Sequence, residues 1–207
     1  MTTKTMQGKN WGQIRTEQKL MAVPSDLTGK RVLDIGGYDG SLAVVAIERG
    51  AKEATVFDSQ QYHGYEDYKN PLLERPNLFF IHDDIMNHHV GVTLDSFNPS
   101  KPEFDVVFAF DVMYHMKNPY AFAEKLYELT GEVLCLSTRI TTGGPDYWRL
   151  YKPYEQHHND PTVAWKPTYG GLIKLMEIAG FKKNVMVYTE HPGMYEEDGF
   201  VVMRCYK

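Results

Sequence analysis

The chain has 207 residues, 43% of them hydrophobic and 24% charged, with a formal net charge of −5. These values are typical of a globular protein, and the length predicts one domain spanning residues 1–207. The acidic balance argues against an extended nucleic-acid surface. We also expect a cytoplasmic protein without a membrane partner, because no apolar run approaches the ~20 residues of a membrane span and residues 1–10 lack a signal peptide's apolar centre.

The first predicted element is an amphipathic helix over Trp11–Val23, which Pro24 ends. A turn at residues 26–30 leads into Arg31–Ile35, whose apolar side chains predict a short buried strand. The Gly-Gly-Tyr-Asp-Gly sequence at residues 36–40 then predicts a tight turn from this strand into the next helix.

The turn at residues 36–40 has the composition of a ligand site. Its glycines allow the backbone to bend and to approach a ligand closely, and the first N–H groups of the helix beginning near Ser41 face a polar group. Asp34, at the end of the strand, suits an ammonium group or ordered water as hydrogen-bond donor and would repel a pyrophosphate.

Strands and helices continue to alternate after this turn. A helix over Ser41–Gly50 precedes a strand over Ala54–Asp58, and Asp58 lies about where an acidic residue binds ribose hydroxyls in nucleotide-binding folds. This alternation predicts an α/β protein with a doubly wound parallel sheet. The later predicted elements are Leu78–Ile81, Phe104–Phe110, Tyr120–Leu129, Glu132–Leu136, a helix from Thr168 to Ala179, Phe181–Thr189 and Gly199–Tyr206.

The residues Val32-Leu-Asp-Ile-Gly-Gly-Tyr-Asp-Gly40 resemble the first motif of class I S-adenosylmethionine-dependent methyltransferases, usually Asp-x-Gly-x-Gly-x-Gly. Tyr38 replaces the middle glycine, and this variant resembles the smaller group related to tRNA wobble-uridine (carboxymethoxyuridine-forming) methyltransferases. The resemblance implies a Rossmann-like, mostly parallel seven-stranded sheet with an antiparallel C-terminal hairpin. It also implies S-adenosyl-L-methionine as the cofactor and S-adenosyl-L-homocysteine as its product. The cofactor-binding residues predicted around this motif are Asp34, Gly36, Gly37, Tyr38, Gly40, Asp58 and Ser59.

The same resemblance adds cofactor contacts outside the glycine turn. After the third strand, Asp84 and Ile85 match the acidic and apolar pair that holds the adenine ring, with Asp83 as the rival for the acidic role. In the family an N-terminal helix folds over the cofactor, which makes residues 1–24 a candidate lid and Trp11 a candidate contact. A helix that only covers the sheet is the alternative.

The segment after the fourth strand also resembles the group related to tRNA wobble-uridine methyltransferases. Its Tyr114, His115 and Pro119 correspond to a Gly-Val-Leu-Tyr-His-Leu segment and a nearby proline, whereas Asp111 stands where glycine is usual. Because ligands sit outside the carboxyl ends of parallel strands, we expect Phe110 and Asp111 near the cofactor and Tyr114 near the acceptor.

Residues 141–167 form the least regular stretch and are predicted to be a substrate-side loop. Asp160, Pro161, Thr162, Trp165 and Pro167 match an Asp-Pro-Thr-x-x-Trp-x-Pro segment of the group. The aromatic and basic residues here suit a wall for a planar or anionic small molecule, or for a stacked nucleobase, with an outer packed layer as the alternative. The predicted substrate-binding residues are Tyr114, Tyr147, Arg149, Tyr151 and Trp165.

Methyl transfer to a protonated acceptor requires a base, and histidine titrates near neutral pH. His115 is the first candidate, with His157 and His158 as alternatives and a loop-shaping role for His115 also open. No metal is predicted, because no convincing ligand spacing joins the histidine pair and the two cysteines, Cys135 and Cys205, read as buried free thiols.

The leading functional hypothesis is methylation of an oxygen or nitrogen of a small molecule. The alternatives are modification of a tRNA wobble uridine or other nucleotide base, a non-catalytic cofactor-binding member and, less favoured by the glycine spacing, a nicotinamide-dependent oxidoreductase. About thirty residues precede the cofactor motif, so we expect the basic N-terminal extension of the tRNA-modifying group to be absent. The oligomeric state is left open.

Overall fold

The computed structural model describes residues 11–59, 75–86, 104–141, 146–152, 162–190 and 198–207. Its helices are α1 (Trp11–Leu20), α2 (Ser41–Glu48), α3 (Pro119–Leu129) and α4 (Tyr169–Ala179), and a 3₁₀ turn covers Met113–His115. Its strands are β1 (Arg31–Ile35), β2 (Glu53–Asp58), β3 (Leu78–His82), β4 (Phe104–Phe110), β5 (Thr130–Thr141), β6 (Trp148–Leu150), β7 (Trp165–Pro167), β8 (Lys183–Glu190) and β9 (Asp198–Tyr206). Within the described residues, no helix has the length and apolar character needed to cross a bilayer.

Seven strands form one sheet in the order β3-β2-β1-β4-β5-β9-β8. The first five strands in this order are parallel, β9 pairs antiparallel with β5, and β8 pairs antiparallel with β9. This arrangement confirms the predicted doubly wound sheet with a C-terminal hairpin. The strand order turns back between β1 and β4, and ligands of such sheets bind in the crevice at the carboxyl ends of strands at that point.

Two apolar cores cover the two faces of the sheet, and β4 shows how its sequence supplies both. Side chains alternate between faces along a strand, so its continuous apolar run fills two layers. Val106 and Phe108 join the core that contains α2, whereas Val107 and Ala109 join the core that contains α3 and α4. All four side chains are buried.

Two element boundaries differ from the sequence prediction for identifiable reasons. Helix α1 ends at Leu20 rather than Val23, and carbonyl groups of residues 21–24 accept hydrogen bonds from Arg49 and Arg204 instead. Strand β5 extends well beyond the predicted Glu132–Leu136, because β9 pairs with it as far as Thr141. The polar residues that follow Leu136 end the apolar pattern although they stay in the strand.

The predicted end of α4 is confirmed. The Thr168 hydroxyl accepts the N–H of Gly171 at the start of the helix, and Gly180 adopts a left-handed conformation (φ 118°) at its end. The predicted loop at 141–167 contains two short strands that the sequence prediction missed. In its described part, β6 and β7 pair antiparallel, with Trp148 opposite Pro167 and Leu150 opposite Trp165.

Candidate active site

The glycine turn after β1 contains a non-glycine residue in a left-handed conformation. Gly36 has φ 66°, and a Cβ there would collide with Val112. Tyr38, at the position where the family motif carries glycine, has φ 49°. Left-handed backbone costs an L-residue roughly 1–2 kcal/mol, which explains why glycine is the usual residue here. The Tyr38 backbone N–H donates to Asp58 Oδ2 at 3.2 Å, linking the turn to the end of β2.

Asp34 lies directly beneath this turn. Its side chain is 2% exposed, and a Cβ on Gly37 would come within 2.8 Å of its carboxyl group. Burial raises the pKa of Asp34 to about 7, against the opposing effect of the Lys19 ammonium. Among the described residues, its buried Oδ2 atom has no hydrogen-bond partner. A buried acceptor without a donor is costly, so this oxygen suits a ligand ammonium or a bound water.

A cavity of about 420 Å³ opens at the carboxyl ends of β1, β2, β3 and β4. Seven of the predicted site residues line it: Gly36, Asp58, Ser59, Asp84, Ile85, Asp111 and His115. The structure adds Ile35, Phe57, Asp83, Val112, Met116 and Thr162. These residues follow different strands, so the topology of the sheet brings them together.

The cavity carries a strongly acidic wall. Four of its lining residues are aspartates, namely Asp58, Asp83, Asp84 and Asp111, and the described lining contains neither lysine nor arginine. Asp83 and Asp84 both face the cavity, so the choice between them as adenine ligand stays open. Ile85, 5% exposed, supplies an apolar surface beside them. Such a wall attracts a cationic ligand and repels a phosphate-bearing one.

Asp111, the second residue at a usual glycine position, also has left-handed backbone, with φ 60°. Ser137 supports this conformation, because its carbonyl and hydroxyl oxygens accept the Asp111 N–H and its hydroxyl donates to Asp111 Oδ1. Lys19 of α1 places its Nζ 2.8 Å from Asp111 Oδ2. Helix α1 therefore reaches the rim of the cavity through a charged contact.

The other predicted cofactor-binding residues do not line the cavity or have side chains outside the described residues. Gly37, Tyr38 and Gly40 lie in the turn and do not line the cavity. Phe110 is 4% exposed, belongs to the core that contains α2 and is not among the residues that line the cavity. Trp11 begins α1, but its side chain lies outside the described residues, as do His157 and His158. The described residues contain no group of three or more His, Cys, Asp or Glu side chains placed to hold one metal ion.

His115 lies in the cavity wall within the 3₁₀ turn after β4. Its Nδ1 atom is 2.8 Å from the Thr162 hydroxyl oxygen, and its ring lies 4.2 Å from the Tyr114 ring, centroid to centroid. The neighbouring segment is held to the turn through main-chain atoms, since Ala164 N–H donates to the Tyr114 carbonyl and the Trp165 indole N–H donates to the Met116 carbonyl.

The predicted substrate-binding residues do not line this cavity. Trp165, predicted as a substrate contact, is 1% exposed and packs against Trp148 with its indole N–H occupied, which fits the alternative of a packed layer. Tyr114 is 7% exposed, with its ring 4.2 Å from the His115 ring and 5.6 Å from the Arg139 guanidinium. The other three, Tyr147, Arg149 and Tyr151, lie on or beside β6 and stay a prediction for an outer acceptor wall.

The sequence matches a family model described as a methyltransferase domain over residues 10–184. Similar proteins include the tRNA U34 carboxymethyltransferases of Psychrobacter cryohalolentis (27% identity over 165 residues) and Chromohalobacter salexigens (26% over 172 residues). The alignments cover 75% and 81% of this chain but 44% and 49% of those proteins. The chain thus spans about half the length of these relatives.

Solved structures support the same fold. An S-adenosylmethionine-dependent methyltransferase from Mesorhizobium loti aligns with a TM-score of 0.65 at 12% identity, over 95% of this chain and 97% of that one. The 1,6-didemethyltoxoflavin-N1-methyltransferase of Burkholderia thailandensis, solved with bound 1,6-didemethyltoxoflavin and S-adenosylhomocysteine, aligns with a TM-score of 0.61 at 18% identity, over 95% of this chain and 82% of that one. At these identities the similarity concerns the fold.

Proposed function

Because the chain belongs to the methyltransferase domain family, we propose that it transfers a methyl group from S-adenosyl-L-methionine to an oxygen or nitrogen of a small molecule. The acidic cavity at the carboxyl ends of the strands carries this proposal. S-adenosylmethionine bears a sulfonium and an ammonium group, which four aspartates attract, and it lacks the pyrophosphate that they would repel.

The described residues fit the parts of this cofactor. Asp58, at the end of β2, is the residue for the ribose hydroxyls, since one carboxylate accepts from two hydroxyl groups. Ile85 with Asp83 or Asp84 is the adenine site, where an apolar side chain covers the ring and a carboxylate accepts from the amino group. The buried Asp34 Oδ2 is the acceptor for the ammonium group, directly or through water.

When bound, the cofactor supplies an electrophilic methyl group for an in-line displacement that needs little covalent help. The protein's own contribution is to align the acceptor, exclude water and take up its proton. His115 is the base in this proposal, because it is the described histidine in the cavity wall. A neutral imidazole accepts a proton on one nitrogen while the other keeps its hydrogen bond.

Two observations support a small acceptor. The cavity is acidic, as is the chain with its net charge of −5, and both properties disfavour a polyanion. The second candidate function is modification of a tRNA base. It is favoured by the tRNA U34 carboxymethyltransferases among the relatives, although this chain spans about half of their length.

Calorimetric binding of S-adenosylhomocysteine, with NAD in parallel, tests the cofactor assignment. We expect the former to bind and Asp58→Asn to weaken its affinity at least tenfold, as for a lost hydrogen bond to a charged group. Glu53→Gln is the matched control, since Glu53 lies at the opposite end of β2 and pairs with Arg31. Binding of NAD, or of neither compound, would overturn the proposal.

The acceptor class needs a separate measurement. We expect bulk tRNA to bind weakly and to receive no methyl group from labelled cofactor. Tight tRNA binding whose affinity falls steeply with salt, together with label transfer, would instead establish the second candidate function.

A further inference from the structure

Three contacts join the 3₁₀ turn after β4 to the segment that enters β7. Ala164 N–H donates to the Tyr114 carbonyl at 2.8 Å, and the Trp165 indole N–H donates to the Met116 carbonyl. Between them the Thr162 hydroxyl meets His115 Nδ1 at 2.8 Å. Thr162 is exposed, so the flanking contacts and the buried Trp165, rather than its own burial, set its position.

We infer that Thr162 is a positioning residue, whose hydroxyl oxygen accepts the Nδ1–H of His115 and thereby leaves Nε2 unprotonated for the acceptor. This assignment deepens the proposed function and depends on it for its catalytic meaning. Thr162 would not touch the reacting atoms. It would act through the His115 ring.

The direction of this hydrogen bond follows from which ring nitrogen of His115 must be free to act as the base. A threonine hydroxyl either donates to an unprotonated Nδ1 or accepts from a protonated one. If it donated, Nε2 would carry the proton and could not take another, and the bond would break when the ring became an imidazolium. If it accepts, Nε2 takes the acceptor's proton while Nδ1–H stays bonded to Thr162 throughout. Only the second direction leaves Nε2 free to take the proton while the hydrogen bond to Thr162 is kept.

His115 and Thr162 both line the cavity, and the same direction of the hydrogen bond holds after proton transfer. An imidazolium donates from both nitrogens, and the Thr162 oxygen then serves as its acceptor at Nδ1. The hydroxyl therefore holds the ring in one orientation in both protonation states.

Long-range ¹H–¹⁵N correlation spectra of the ¹⁵N-labelled chain at pH 8 test this inference without an acceptor. They report which imidazole nitrogen carries the proton, and His115→Ala identifies the His115 signals. In the wild-type protein we expect the Nδ1–H form to predominate. Thr162→Val should lower the ratio of Nδ1–H to Nε2–H about fivefold, the change expected from losing one hydrogen bond, whereas Thr162→Ser, which keeps the hydroxyl, should leave it within about twofold.

A wild-type protein in which Nε2–H predominates would overturn the inference, as would an unchanged ratio in Thr162→Val. Thr162→Ala serves the same comparison if the valine variant does not fold. The tautomer is read in the ligand-free protein, so failure of this inference is distinguishable from failure to bind the cofactor.

Discussion

Replacing the buried Asp34 carboxyl group with an amide should have opposite effects on stability and on cofactor binding. Burial raises the pKa of Asp34 from 3.8 to about 7. The native state therefore holds this proton more tightly than the unfolded chain does. Its stabilising contribution is complete below the unfolded pKa, is lost as the pH rises, and is gone once the pH passes the native pKa. Above that pH the ligand-free protein carries a buried charge that opposes folding.

The magnitude follows from the size of the pKa shift. Each pH unit between the unfolded and native pKa values costs about 1.4 kcal/mol, so the two units from pH 5 to pH 7 remove roughly 3 kcal/mol from the wild-type protein. The amide of the Asp34→Asn variant does not titrate. The stability of the variant relative to wild type should therefore rise by about 3 kcal/mol between pH 5 and pH 8, whatever fixed cost the amide adds.

Urea unfolding of wild type and Asp34→Asn at pH 5 and pH 8 measures how their difference in the free energy of unfolding changes with pH. Thr55→Val is the matched control, because Thr55 is a buried, non-ionisable polar residue in the neighbouring strand at the level of Leu33. Its stability relative to wild type should be equal at the two pH values. At pH 8, S-adenosylhomocysteine should bind Asp34→Asn about tenfold or more weakly than wild type. Equal relative stability of Asp34→Asn at pH 5 and pH 8 would refute the reasoning.

Three further outcomes are expected. Tyr38→Gly should have a free energy of unfolding up to about 1 kcal/mol higher than Tyr38→Ala. Glycine adopts the left-handed backbone without the steric cost that alanine has there, although it loses more conformational entropy on folding. Equal stability of the two variants in urea would contradict this. His115→Ala should lower turnover about 100-fold with cofactor affinity kept, measured by label transfer and calorimetry, and normal turnover would remove it from the mechanism. Burial raises the pKa of Cys135 to about 12 and also raises that of Cys205, so neither thiol should react with a thiol reagent at pH 8 before urea unfolds the protein; rapid labelling of the native protein would argue against the burial of these thiols.

The sequence predicted those parts of the site that depend on local pattern. The apolar run of β1, the glycine turn and the acids that follow β2 and β3 are each contained in a few consecutive residues. Asp58, Asp84 and Ile85 consequently line the cavity as expected. The two departures from the glycine pattern, Tyr38 and Asp111, were also visible in the sequence. Their left-handed backbone was not, since a side chain gives no local sign that the fold holds it in a strained conformation.

Contacts between distant segments escaped the sequence prediction. His115 and Thr162 are 47 residues apart, and their meeting depends on how the segment entering β7 aligns with the turn after β4. Thr162 was noticed only as part of a motif, without a partner. For a related reason, the burial of Trp165 was not predicted. An aromatic residue in an irregular stretch has the same sequence signature whether it faces a substrate or fills a core, and only packing distinguishes the two.

The position of α1 has a consequence for the order of folding. Gln18 donates to the Tyr188 hydroxyl 170 residues further along the chain, and Arg204 donates to the Ala22 carbonyl across 182 residues. The β8–β9 hairpin is synthesised after every described residue that lines the cavity. Because contacts of such long sequence separation are slow to form, we expect α1, which carries Lys19, to settle against the sheet late in folding. A helix near the start of the chain thus depends on β8 and β9, close to its end, for these contacts.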